Sequence, residues 1–237
     1  MALILSIETG TDICSAALSN NGELLALRES SGGQDHARKL ALYIDELLKA
    51  NEYDPEDLDA VAVGKGPGSY TGLRIGVSTA KGICYALGIP LIGIGSLEAL
   101  AYVAAEDHQA GILDVENWNT TKLCPMIDAR RMEVYAQVFD SNILPLSDAG
   151  AHIITPESFS RFIGNGGEFV IFGNGAAKCI NTLPKEGVRF AEVAPSARGL
   201  VKPAYEAFNT GRFEDVAYFE PFYLKDFVIT TSKKKLF

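Results

Sequence analysis

The residues with the clearest chemical potential lie in Gly64 to Gly76, GKGPGSYTGLRIG, between an apolar run, Ala60 to Val63, and a proline-free segment of helical character, Thr71 to Leu87. Glycines ahead of a helix N-terminus can offer backbone amides to an anion, so phosphate binding is the first chemistry to consider. The spelling departs from both familiar patterns. A P-loop needs lysine and then serine or threonine directly after its last glycine, whereas Lys65 precedes the turn, and the dinucleotide fingerprint needs glycine where Thr71 stands. Pro67 and Gly68 suit a tight turn, while Gly64 and Gly66 permit close approach of backbone or ligand. Two further turns could take part in phosphate chemistry. Asp12 follows Thr9-Gly10-Thr11 and Asn174 sits in Gly173-Asn174-Gly175; each is either a remnant nucleotide loop or plain turn chemistry.

Metal and thiol chemistry find less support. His36, His108 and His152 are far apart and show no ligand spacing, which reads as surface or capping histidines. Cys14, Cys84, Cys124 and Cys179 are dispersed among apolar neighbours, the pattern of reduced, partly buried thiols. The chain has 237 residues, 47% of them hydrophobic, and a net charge of −9, which disfavours a direct grip on a nucleic-acid backbone. No apolar run approaches the roughly 18–20 residues of a membrane span, and the start MALILSIETG lacks a basic n-region, so a cytoplasmic protein is expected.

The elements that must hold these residues can be read in order. Ala2 to Glu8, Ile13 to Ser19 and Glu23 to Glu29 form a three-stranded meander with turn chemistry between them. From Asp35 to Asn51, Leu40, Ile44, Leu47 and Leu48 mark one face of an amphipathic helix, which Asp54-Pro55 ends. A strand at Ala60 to Val63, the glycine turn, the helix to Leu87, a strand at Pro90 to Ile94 and a helix capped by Ser96 follow. Gly72, Gly76, Ala80, Cys84 and Gly88 step every fourth residue, a stripe on which a second helix could pack closely. The polar stretch Glu106 to Thr121 places a boundary that divides the chain into 1–105 and 106–237. Beyond it the pattern restarts: strands at Lys122 to Ile127 and Glu133 to Phe139, an irregular strand within Ile143 to Ile154, a helix at Pro156 to Phe162, and a strand at Phe169 to Phe172. A short helix ending near Ile180, a helix from Ala197 to Thr210 and a fraying tail from Lys225 to Phe237, with Lys233-Lys234-Lys235 as a solvated charge run, complete it. Two consecutive units of this kind predict an α/β fold of two ribonuclease-H-like domains, as in actin-like ATPases and sugar kinases, the second reduced.

Four spaced motifs now point to a family. GPGSYTGLRIG, with ILSIET at the start, GIGSLEALA after the next strand and MIDARRMEVYA opening the second half, closely resembles the TsaB (YeaZ) family, the bacterial partner subunits of the machinery that makes N6-threonylcarbamoyladenosine (t6A) in tRNA. The resemblance runs from residue 2 to about 139 and returns at Pro221-Phe222-Tyr223-Leu224-Lys225; Tyr70 stands where the family usually has phenylalanine. It marks Gly66, Pro67, Gly68, Ser69, Thr71, Arg74, Asp128 and Arg130 as motif residues, with Asp128 and Arg130 placed either to fix one half against the other by a charge-assisted hydrogen bond or to bind a ligand.

A catalytic relative, TsaD, carries an H-x-x-x-H metal motif at the start of the helix after the glycine turn. The equivalent stretch here is Ser96-Leu97-Glu98-Ala99-Leu100, in which neither ligand position holds a ligand. The resemblance therefore implies a subunit with no catalytic residue, metal site or cofactor of its own, ATP or ADP belonging if anywhere to the complex. Its implied partners are a TsaD-type catalytic subunit and a TsaE-type ATPase, with tRNA contacted only indirectly and no membrane. When alone it is expected to form a homodimer through the same helices, by way of Leu40, Ile44, Leu47, Gly72, Gly76, Ala80 and Cys84. The alternatives are a glycoprotease-like metallopeptidase and a small-molecule kinase of the actin-like superfamily.

Overall fold

In the computed structural model, residues 2–31, 35–164 and 166–225 are described. The tail beyond Lys225, including the lysine run, lies outside them. Among the described residues, ten strands make two five-stranded mixed sheets. The first contains β1 (Leu3–Glu8), β2 (Cys14–Asn20), β3 (Glu23–Ser30), β4 (Ala60–Gly64) and β5 (Leu91–Ile94) in the order β3-β2-β1-β4-β5. β2 runs antiparallel to β1 and β3, and β4 runs parallel to β1 and β5. The second contains β6 (Lys122–Asp128), β7 (Glu133–Ala136), β8 (Gly150–Ile153), β9 (Phe169–Phe172) and β10 (Val188–Phe190) in the order β10-β9-β6-β7-β8. Its first three strands are antiparallel neighbours and β9 lies parallel to β6 and β10, so it repeats the first sheet strand for strand. The repeated ribonuclease-H-like unit is thus present twice.

The copies differ in their helices. In the first, α1 (His36–Ala50) and α2 (Tyr70–Leu87) cover one sheet face with Leu40, Leu47, Val77, Ala80 and Cys84 against Leu5, Ile7 and Val63. Each large side chain buried in this way contributes about 1.5–3 kcal/mol. In the second, the place of α1 is taken by turns at 156–163 and the place of α2 by one helical turn, Ala176–Cys179, with Phe159, Phe162 and Ile163 packing where a helix would. The helix expected at Pro156 to Phe162 is therefore absent: Phe159 has φ of +63°, a left-handed value that interrupts a helix.

α3 (Ser96–Gln109) changes the domain division. It runs unbroken through residue 105 and is buried on most sides. Leu97, Leu100, Val103 and Ala104 pack on the second sheet, while Ala99 faces the first. Its apolar residues are shared between two cores, which is why it shows no single apolar stripe. The C-terminal end returns to the first unit as well: the helical turn Ala197–Leu200 and α4 (Val201–Asn209) cover the sheet face made by Ile4, Ala17, Ala60 and Ile92. The single helix expected from Ala197 is thus a turn followed by a helix. No helix among the described residues is long and apolar enough to cross a membrane.

Candidate functional site

The carboxyl ends of β1, β4 and β6 open on a cleft of about 1130 Å³ between the two units. Its first wall is the turn after β1, Gly10 to Asp12, with Ser69 to Gly72 at the start of α2; its second wall is Asp128 to Arg131, with Asn174 behind it and Tyr223 to Lys225 to one side.

The glycines of the first wall serve the chain itself. Ser69 donates its amide to the Gly10 carbonyl (2.6 Å), and Thr9 donates its hydroxyl to the Gly72 carbonyl (2.8 Å). A methyl group on Gly72 would overlap the Thr9 carbonyl oxygen, one on Gly76 the Thr9 hydroxyl, and one on Gly68 the Gly10 carbonyl. So the small-residue stripe seats the β1–β2 turn and the sheet beneath it. Gly72, Gly76, Ala80 and Cys84 are all buried there, as are Leu40 and Leu47, and Ile44 is half-buried. As a surface offered to a partner, this stripe is corrected by the structure: its residues are spent on their own sheet.

Several amides of this turn and of the start of α2 are engaged in the same way. Lys65 donates to the Ile94 carbonyl (2.8 Å), Gly66 to the Ser96 hydroxyl (3.3 Å) and Gly72 to the Ser69 hydroxyl (3.3 Å). Ser69 caps α2; Ser96 does not cap α3 but is its first residue, Gly95 standing at the cap. The Ser96 hydroxyl instead donates to Glu8 Oε2 (2.9 Å), while Gly10 donates its amide to Glu8 Oε1 (2.7 Å). Glu8, 2% exposed, is the residue that sequence reading missed. Its only signal is a carboxylate closing an apolar strand before Thr-Gly. Burial pushes its pKa up, opposed by hydrogen bonds from Gly10, Ser96 and Thr9. Leu100, at the second position of the ligand motif, is 1% exposed in the core of the second unit.

On the second wall, Arg130 and Arg131 have φ of +66° and +52°, the two left-handed positions of a tight hairpin turn. Arg130 donates its amide to Asp128 Oδ1 (2.6 Å), and Asp128 pairs with Lys178 of the same unit. The charge-assisted bond between halves expected of Asp128 and Arg130 is therefore not formed by them. Asn174 makes the crossing: its Oδ1 accepts from the Asp128 amide (3.0 Å) and its Nδ2 reaches Asp12 Oδ1 at 3.5 Å. The two turns read as possible phosphate loops meet and bond to each other. Arg74 is exposed, its guanidinium 5.5 Å from the Tyr70 ring, and Thr71 is exposed beside it.

His36 also borders the cleft, and the other reactive groups lie elsewhere. His36 is buried, not superficial, with Nε2 3.0 Å from the Thr11 carbonyl oxygen; His108 stacks on Trp118 at 4.2 Å. All four cysteines are free and buried, and burial pushes the thiols of Cys14, Cys84 and Cys179 up to about 11. Among the described residues no group of three histidine, cysteine or carboxylate side chains could hold a metal ion.

Comparison with known proteins places this geometry in a family. Residues 27–163 match the family model described as TsaD, tRNA N6-adenosine threonylcarbamoyltransferase. The tRNA threonylcarbamoyladenosine biosynthesis protein TsaB of Escherichia coli K12 is 30% identical over 229 residues, 94% of each chain. The chain belongs to the TsaB (YeaZ) family. TsaB of Haemophilus influenzae is 37% identical over 56% of this chain and 51% of its own, and TsaB of Bacillus subtilis 34% identical over 57% and 54%. The solved YeaZ of Pseudomonas aeruginosa shares the fold, with a TM-score of 0.81 at 24% identity over 94% of this chain and all of that one. TsaB-family relatives carry names in t6A biosynthesis, which places this TsaB-family chain in tRNA modification.

Proposed function

We propose that the chain is a non-catalytic, cytoplasmic scaffold subunit of the t6A machinery, supporting a TsaD-type threonylcarbamoyltransferase. The observation that carries this reading is the state of the two positions where the catalytic relative has its metal ligands: Ser96 is bonded inward to Glu8 and Leu100 is buried in an apolar core. A hydroxyl so engaged and an aliphatic side chain supply no metal-binding pair. The glycoprotease-like metallopeptidase reading needs that pair. Against the kinase reading, the loop amides of Ser69, Lys65 and Gly66 bond to Gly10, Ile94 and Ser96.

With the small-residue stripe turned inward, the partner surface is assigned to the outer face of α1 and α2. Leu42 is 52% exposed and Tyr85 86% exposed, and Ala37, Tyr70, Thr71, Arg74 and Ile75 border a groove of about 470 Å³ between the helices. The same face serves the homodimer of the isolated chain, so homodimer and heterodimer exclude each other. A shared twofold face of this kind would bury roughly 1,200–2,000 Å². A TsaE-type ATPase joins the larger assembly, ATP or ADP is held there and not by this chain alone, and tRNA is reached through the partner. The test is co-purification with the TsaD-type subunit of the same cell, followed by a t6A assay with and without this chain. Co-purification and loss of modification without it are expected; full modification in its absence overturns the reading.

A further inference from the structure

The segment from Glu214 to Lys225 touches both units, and its contacts change from one to the other along its length. Glu214 donates its amide to the Leu91 carbonyl (2.8 Å) and approaches Lys65 Nζ at 3.4 Å. Phe219 is buried in the core under α2, and Lys81 of α2 donates to the carbonyls of Ala217 (3.1 Å) and Phe219 (2.9 Å). Phe222 then donates its amide to the Lys65 carbonyl at the glycine turn (2.7 Å). Tyr223 lies on Tyr70, ring centroids 4.9 Å apart. From there the chain crosses over: Leu224 packs on the core of the second sheet, and Lys225 pairs with Glu133 and stands 5.9 Å from the Tyr135 ring.

We infer that residues 214–225 form a strap that latches the two units across the mouth of the cleft. α3, packed into the cores of both units, is the pivot, and the strap together with the Asp12–Asn174 contact holds the rim. A hinge of this kind has a packed axis and a small number of breakable rim contacts. The crossing residues are Tyr223, Leu224 and Lys225; those before them anchor the strap to the first unit and do not carry the latch. Tyr70 opens α2, so the strap also ties the width of the cleft to the start of that helix, whether or not α2 docks a partner.

Spin labels on Leu24→Cys and Leu144→Cys, 44% and 61% exposed on β3 and in the second unit, report the separation of the units in the full chain. The buried native thiols leave the introduced ones as the reactive sites. In Tyr223→Ala/Leu224→Ser the distance distribution is expected to broaden by about twofold and lengthen by several ångströms, whereas Tyr218→Ala, at an 84% exposed position of the same segment, leaves it unchanged. If the double variant loses its cooperative melt, Lys225→Glu carries the measurement: it is expected to broaden the distribution, and the exchange Glu133→Lys/Lys225→Glu to narrow it again. A distribution unchanged in the double variant, or unchanged in Lys225→Glu where that variant alone folds, overturns the strap.

Discussion

Gly72 and Gly82 sit in the same helix and should respond to alanine in opposite ways. A methyl group on Gly72 meets the Thr9 carbonyl, while one on Gly82 meets nothing within 4 Å. Gly72→Ala is expected to cost about 1–3 kcal/mol by overpacking against backbone that cannot move aside. Gly82→Ala should gain about 0.5–1 kcal/mol, since an exposed helical glycine only adds freedom to the unfolded chain. Urea denaturation of both variants checks the pair, and equal shifts would show the stripe to be unconstrained. Glu8 supplies a pH dependence. Its folded pKa is raised above the usual 4.5, so the cost of ionising it in the fold is absent below 4.5, grows as pH rises above it and is complete beyond the raised value. The stability of Glu8→Gln relative to the parent should therefore increase from about pH 4.5 upward and then level off. Denaturant midpoints measured from pH 4 to 8 decide it; a constant difference would mean that Glu8 does not titrate in this way.

α2 has two faces with different duties. Its inner face fits the Thr9–Gly10 turn and the sheet, so substitutions there act on folding before they act on any partner. A leucine at Gly76 would unseat the Thr9 hydroxyl and is no test of association. The outer face provides the clean test. Leu42→Glu with Tyr85→Glu places charge at two exposed sites that contribute little to the core. Melting should shift by less than about 0.5 kcal/mol, the usual range for surface changes, while affinity for the TsaD-type subunit and self-association both fall by at least about tenfold. Analytical ultracentrifugation measures both, and unchanged association would move the partner surface elsewhere. α3 carries a different message: a helix serving two cores cannot be cut at residue 105 without opening both.

The whole molecule is a duplicated sheet joined by that shared helix and closed by returning C-terminal segments. The first sheet is not finished by the first half of the chain, because Ala197, Leu200, Val201 and Ala204 cover one of its faces. A fragment of residues 1–110 would leave Ile4, Ala17, Ala60 and Ile92 bare. Such a fragment is expected to lack a cooperative thermal transition, measured by circular dichroism, whereas the full chain keeps one. A fragment that melts sharply would restore the simple division at residue 105.

Strand spacing, turn chemistry and the 3.6-residue period of α1 were legible in the chain because each rests on contacts between near neighbours in sequence. The repeat was legible for the same reason, the order of short strands and turns recurring after residue 122. Pro156 to Phe162 misled because its aromatic residues fill the space of a helix without forming one. The stripe on α2 reads as the seat of a second helix, yet its occupant is the turn Thr9-Gly10, more than sixty residues away by the Thr9–Gly72 hydrogen bond. Sequence spacing carries no information about which distant group will fill such a space. Glu8 and Asn174 are of this kind too: their roles rest on Ser96, Asp128 and Asp12, brought together only when both sheets have twisted into place around α3.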